Sequence, residues 1–318
     1  MTGAGNLNFF YILTSICSFL LVFPTQGRAE SKFSVNAGSS VIDATITTNS
    51  LKVSDSQLKA WVQRAADAVV AYYGRYPVAH VTLQIRPFDG RGVRGGQTFA
   101  MHGGLIRIAV GTDTIEAGLA SDWMLTHEMV HLTFPSVPEE HHWIEEGIAT
   151  YVEPIARIQA GQFDIQRMWF ELVRDMPKGL PQAGDQGLDH THTWGRTYWG
   201  GALFCFLADI EIRKQTQNKK GLQDALRGIL NVGGDMREDW PLEKALQTGD
   251  RAVGLDVLMK LYAQMRDQPM QVDLDSLWKQ LGIQQEDGTV KFQDNAPLAA
   301  IRHSITDPNH VRAQHAAP

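Results

Sequence analysis

Residues 124–132 read MLTHEMVHL, with His127 and His131 four positions apart. On an α-helix that spacing puts both imidazoles on one face, one turn apart. Two imidazoles so placed bind one Zn2+ without backbone strain. Glu128, beside the first histidine, reaches a water activated by such a metal and suits a general base. Ser121-Asp122 offers a helix start, and Met124, Leu125, Met129, Val130 and Leu132 offer a packing side. A helix over 121–133 is therefore expected, in a fold that brings further ligands to its histidine face.

A catalytic zinc takes three protein ligands and leaves one position open. The next candidates lie in HHWIEEGIATYVE, residues 141–153, where Pro138 and Glu139-Glu140 suit the first turn of a second helix. Glu146 is the favoured third ligand, and Gly147 after it lets two helices approach. Glu145, Glu139, His141 and His142 compete with it. Glu145 points about 100° elsewhere on a helix, and His141 and His142 read as surface or cleft-rim residues near the helix start. Glu153 lies two turns beyond Glu146 on the same face. It is placed to accept a hydrogen bond from a ligand imidazole and fix its tautomer, or to be an ordinary surface carboxylate.

The chain has 318 residues, 43% apolar and 20% charged, with a formal net charge of −6. That supports one or two domains with a sizeable core. No Lys/Arg block marks a nucleic-acid partner. Phe9 to Phe23 form an apolar run too short for a comfortable membrane span and of signal-peptide length, followed by Gly27-Arg28-Ala29 as a small-x-small cleavage site. Residues 1–29 are read as a signal peptide, with an uncleaved N-terminal anchor as the alternative, because the first eight residues lack Lys and Arg. Either way the remainder is expected to be exported, periplasmic or extracellular. Cys205 is then the single cysteine of the mature chain and reads as a buried, inert thiol in ALFCFLADI.

Residues 30–118 read as an α/β lobe. Leu58, Trp61, Val62, Ala65, Val69, Val70 and Tyr73 have helical spacing within 54–74, closed by Gly74. AHVTLQIRPF and LIRIAVG read as strands, and glycine-rich 90–104 between them as a loop or distorted hairpin. Residues 119–305 read as a helical lobe with helices at 121–133, 139–160, 163–174, 198–214, 220–230, 241–247, 253–266 and 274–281. A small hairpin and a last short helix follow within 287–303, and 306–318 is expected to be a flexible tail. The fold class is α+β, with a cleft between the lobes.

His127-Glu128-x-x-His131 followed by Trp143-Ile-Glu-Glu146-Gly147 resembles the gluzincin metallopeptidases. The resemblance implies a thermolysin-like catalytic domain with Glu146 as third zinc ligand. WIEEGIATYVE resembles the aminopeptidase N and leukotriene hydrolase branch, whose later glutamate supports a zinc histidine and falls on Glu153. YWGGALFCFLADIEIRK, residues 198–214, resembles the Y-x-x-G-A-L segment of the same clan, especially the glycyl aminopeptidase group. It implies that the Tyr198 hydroxyl stabilises the oxyanion, a role that a phenol facing the zinc can fill; a buried aromatic at a helix start is the other reading. The tail DLDSLWKQLGI with its acidic hairpin is similar to that group too.

The pattern departs from that branch in two ways. Fourteen residues separate His131 from Glu146, fewer than the aminopeptidase N branch has, though helix–helix connections of 2–8 residues suffice for an antiparallel return. The G-A-M-E-N element is missing. GGQTFAMHGG stands in about its place, as a candidate edge strand for an extended peptide. It has no acidic residue, so capture of a free α-amine is not supported, and the expectation shifts toward an unassigned peptidase or endopeptidase. In DHTHTWGR, residues 189–196, His190, His192 and Arg196 are candidate cleft residues, and His192 is the first choice for substrate contact. His80, His303, His310 and His315 read as surface residues. The expected function is an exported metallopeptidase with one Zn2+ ion and a peptide or protein substrate. A zinc amidase or deacylase on other amides is the rival, and a non-catalytic zinc-stabilised domain is a second, which Glu128 counts against because a closed structural site needs no base.

Overall fold

The computed structural model describes residues 31–47, 50–101 and 103–307. The expected export segment and nearly all of the expected tail lie outside them. The first part of the chain forms a five-stranded mixed sheet. Strands β1 (Ser31–Ala37) and β2 (Ser40–Ile46) make an antiparallel hairpin. Helix α1 (Asp55–Tyr73) crosses over to β3 (His80–Phe88), which runs parallel to β2. Ser54 starts α1 with a reciprocal capping box to Gln57, and Gly74 ends it at φ 80°, a left-handed conformation that favours glycine.

Strand β4 (Val93–Phe99) lies in the stretch expected to be a loop or distorted hairpin. It pairs antiparallel with β5 (Leu105–Gly111), which is parallel to β3. The sheet order is β1-β2-β3-β5-β4, so β4 is an edge strand. Its register shifts between Arg94 and Gln97. Such a bulge bends the strand, and its one extra residue falls at Gly95-Gly96, which stand opposite Ile108 alone.

The remainder is helical. A short helix α2 (Glu116–Ala120) precedes α3 (Met124–His131). The side chain of Asp122 caps α3, accepting from Met124 N at 3.0 Å and Leu125 N at 3.2 Å, while Trp61 Nε1 holds the same carboxylate at 2.9 Å. A 3-10 turn (Glu139–His141) leads into α4 (His142–Gln159), which continues through Pro154. Then come α5 (Ile165–Asp175), a second 3-10 turn (Met176–Gly179), a π-helical turn (Gly195–Gly200) and α6 (Gly201–Thr216). Helices α7 (Leu222–Asn231), α8 (Leu242–Val253), α9 (Val257–Met265) and α10 (Leu274–Leu281) follow. The chain closes with a hairpin of β6 (Ile283–Glu286) and β7 (Thr289–Phe292), then α11 (Ala299–Thr306).

Helix α4 is the centre of this part and packs against α1, α3 and α6. Its contact with α6 is a backbone approach. A Cβ on Gly147 would fall 2.4 Å from Gly201 Cα, and one on Gly201 would fall 2.0 Å from the Trp143 carbonyl oxygen. Trp143, Tyr151, Phe204 and Phe206 fill the space around this crossing. Cys205 is buried beside them, and burial pushes its thiol well above the ordinary range, as suits an inert core residue.

Candidate metal centre

Helices α3 and α4 bring three donor side chains to one point. His127 Nε2 lies 3.1 Å from Glu146 Oε2, and His131 Nε2 lies 3.6 Å from the same oxygen. The two imidazole rings are 4.9 Å apart and nearly perpendicular, at 84°. One ligand atom from each residue lies within 4.8 Å of the others. The short 3-10 connection is long enough to return α4 onto α3. The side chains of Glu145 and His142 face each other at 2.9 Å at the start of α4.

The electrostatics fit a cation site. Burial lowers the His127 pKa despite the Glu146 carboxylate. Burial acts against protonation of His131 too, but there the hydrogen bond and charge of Glu146 prevail and the pKa is raised. Burial works against ionised Glu146, yet hydrogen bonds from His127, His131 and His142 hold its carboxyl far below the usual range. Two imidazoles, His127 buried and His131 partly so, and a buried carboxylate, all converging, match the donors and number that zinc takes in a catalytic site. The donor set therefore fits zinc.

Glu128 points into the same cleft. Thr98 on β4 donates to Glu128 Oε2 at 2.6 Å and to the Glu128 carbonyl at 2.9 Å. Gly96 lets the strand come this close, since a Cβ there would sit 2.3 Å from Glu128 Oε1. The bulged edge strand thus backs directly onto the carboxylate. Tyr198 faces α3 from the π-helical turn, its ring stacked on that of His127 at 6.4 Å and 18°. Burial, with the charges of Glu146 and Glu128 adding, pushes the Tyr198 pKa up to about 12, so the hydroxyl keeps its proton at neutral pH. A cleft of about 420 Å³ is lined by Gly96 to Phe99, His127, Glu128, His131, Glu146 and Tyr198.

Other sequence expectations fare differently. Glu153 does not hydrogen-bond a site histidine. Its Oε1 accepts from Arg157 Nη1 at 2.8 Å, one turn further along α4, and both side chains are buried. Among the described residues nothing hydrogen-bonds the buried His127 Nδ1. His192 is exposed and lines neither cleft beside the site. Arg196 is buried away from the cleft, with Nε 2.7 Å from Asp185 Oδ2, and it donates to the Gly179 carbonyl. His190 pairs with Asp267 on the surface, while His80 and His303 are exposed beside Asp43 and Asp294.

Sequence reasoning missed several contributors. His142 was placed on the rim, yet its Nε2 is 3.3 Å from Glu146 Oε1. The i,i+4 spacing on one helix was the available signal. Hydrogen bonds to Glu145 and Glu146 raise the His142 pKa to about 10. Trp123 packs edge-on to His127 at 5.6 Å and Trp194 stacks on Tyr198 at 5.7 Å, although both are about half exposed.

No protein-family model and no curated protein matches this chain. Solved structures do match. An aminopeptidase N family protein from Idiomarina loihiensis superposes with a TM-score of 0.60 at 13% identity, over 80% of this chain and 49% of that one. An M1 zinc metallopeptidase from Deinococcus radiodurans gives 0.50 at 13% identity, over 77% of this chain and 52% of that one. The chain thus shares the fold of these peptidase domains, with the sheet first and the helices after. It spans about half the length of the structures it matches.

Proposed function

We propose that the chain is an exported zinc-dependent metallopeptidase. The observation that carries the reading is the convergence of His127, His131 and Glu146 in one cleft with a separately held carboxylate, Glu128. The fold shared with known zinc peptidases supports it, and the apolar run Phe9 to Phe23 with Gly27-Arg28-Ala29 supports export.

His127, His131 and Glu146 would hold one Zn2+. Bound there, the ion would acidify a water toward neutral pH and polarise a substrate carbonyl. Glu128 takes the proton of the attacking water and returns it to the leaving amine. Thr98 fixes the Glu128 carboxylate through Oε2 at 2.6 Å. Tyr198, held in its protonated form, donates to the oxygen on which charge develops. The outer edge of β4 offers backbone groups to an extended peptide, an arrangement that leaves specificity to neighbouring side-chain pockets.

A mixture of unfolded proteins and peptides tests this reading by mass spectrometry. Zinc-loaded protein is expected to release fragments, and a chelator to stop it. Tyr198→Phe is expected to lower kcat by about 10²–10³ with zinc content unchanged, the size seen when one oxyanion donor is removed. Cleavage unaffected by chelation would overturn the zinc mechanism, and an unchanged kcat in Tyr198→Phe would leave that ring a packing residue.

A further inference from the structure

His127 and Tyr198 also border a second cleft, to which β4 contributes no residue. It has a volume of about 350 Å³, and those two residues belong to its wall as well as to that of the first cleft. The site therefore borders two recesses. The first runs along the edge strand. The second is bounded by Trp123 and Trp194 at the site and by α5 and the 3-10 turn after it at the far end.

The charges of this second recess do not balance. Four cations line it, Arg157, Arg167, Arg174 and Lys178, against three carboxylates. Arg157 is paired with Glu153 and Arg167 with Glu171. Arg174 and Lys178 share the one carboxylate left, Asp175. Lys178 Nζ is 2.7 Å from Asp175 Oδ1, and Arg174 Nη2 is 2.5 Å from Oδ2. Asp175 is nearly buried, whereas both cations are about half exposed. The surplus positive charge therefore stands at this end and faces outward.

Its position relative to the site is set by stacked rings. Lys178 Nζ lies 5.7 Å from the Trp194 ring, and Trp194 stacks on Tyr198 at 5.7 Å. Lys178 also lies 5.9 Å from the Trp199 ring. An extended chain advances about 3.3–3.6 Å per residue. These contacts put Lys178 no more than about three residues of extended chain from a bond held at Tyr198.

We infer that the second recess is a substrate subsite in which Lys178 and Arg174 receive a carboxylate two to three residues from the scissile bond, with Trp194 packing on the intervening chain. This rests on the peptidase reading above. A free C-terminus and an acidic side chain present the same carboxylate chemistry, and an ammonium and a guanidinium with a shared counter-ion suit either.

The test uses matched quenched-fluorescence peptides on zinc-loaded protein. One pair differs in a free or amidated C-terminus, and another in Glu or Gln two or three residues from the cleaved bond. The wild type is expected to favour a carboxylate by about tenfold in kcat/KM, the worth of one charge-assisted hydrogen bond; the pair that shows it names the source. Lys178→Gln, which leaves Arg174 with Asp175 and removes the surplus charge, is expected to lose the preference. Lys178→Glu, which leaves Arg174 with Asp175, is expected to reverse it. Equal cleavage of all peptides by wild type, or a preference surviving in both variants, overturns the subsite and leaves the peptidase reading standing. Failure of wild type to cleave any peptide overturns both.

Discussion

Glu128→Gln is expected to lower kcat by about 10²–10⁴, the usual contribution of a positioned general base. The amide keeps the shape and an oxygen for the Thr98 hydroxyl, which in the native chain donates to Oε2 at 2.6 Å. It cannot take a proton from water at neutral pH. Glu128 lies outside the converging group of His127, His131 and Glu146, so zinc content is expected to stay at the wild-type level. Steady-state kinetics on a cleaved peptide, with elemental analysis of the same sample, separates the two effects. A variant with wild-type kcat would remove Glu128 from the reaction. One that lost its metal would make Glu128 part of the metal-binding arrangement.

The second large effect belongs to a residue without functional groups. Gly201→Ala is expected to destabilise the fold by about 1–3 kcal/mol, the range for overpacking a filled interior. The added methyl would meet the Trp143 carbonyl oxygen at 2.0 Å and Gly147 Cα at 2.7 Å, and backbone atoms in helices cannot step aside as a flexible side chain can. Helix α4 carries Glu146 next to Gly147, and Tyr198 lies three residues before Gly201 on the facing segment. Prising the two apart moves the carboxylate away from the tyrosine. A misplacement of about 1 Å costs about 10² in rate, so activity is expected to fall well beyond the change in stability. Thermal unfolding and kcat/KM measured on one preparation test this. A variant as stable and as active as wild type would mean that the helix contact does not set the site.

Much of this site was legible before any coordinates because helix periodicity is a strong signal. His127 and His131 had to share a face once 124–131 was helical, and Gly147 marked the close approach of a second helix. Helix α1 was readable at both ends from Ser54 and Gly74. Strand β4 was not. VRGGQTF has no alternating apolar pattern, since an edge strand held by backbone pairing to β5 needs little side-chain burial, and its two glycines read as a loop. They serve the bulge that brings Thr98 to Glu128.

Glu153 bonds Arg157 and no site histidine. Seven residues from Glu146 does put it on the same helical face, but Arg157 is one turn away on α4 and donates to its Oε1 at 2.8 Å. His192 is near Tyr198 in sequence but lines neither cleft beside the site. The chain enters a π-helical turn between them, and Trp194 reaches the site instead. No spacing rule announces such a turn.

Metal stoichiometry tests most directly whether His127, His131 and Glu146 hold one zinc ion. Protein purified from zinc-replete medium and dialysed against buffer is measured by elemental analysis, alongside His131→Ala. The prediction is one zinc per chain in the wild type and none retained by the variant. A wild type that takes up no zinc, or a variant that keeps as much as wild type, would contradict it.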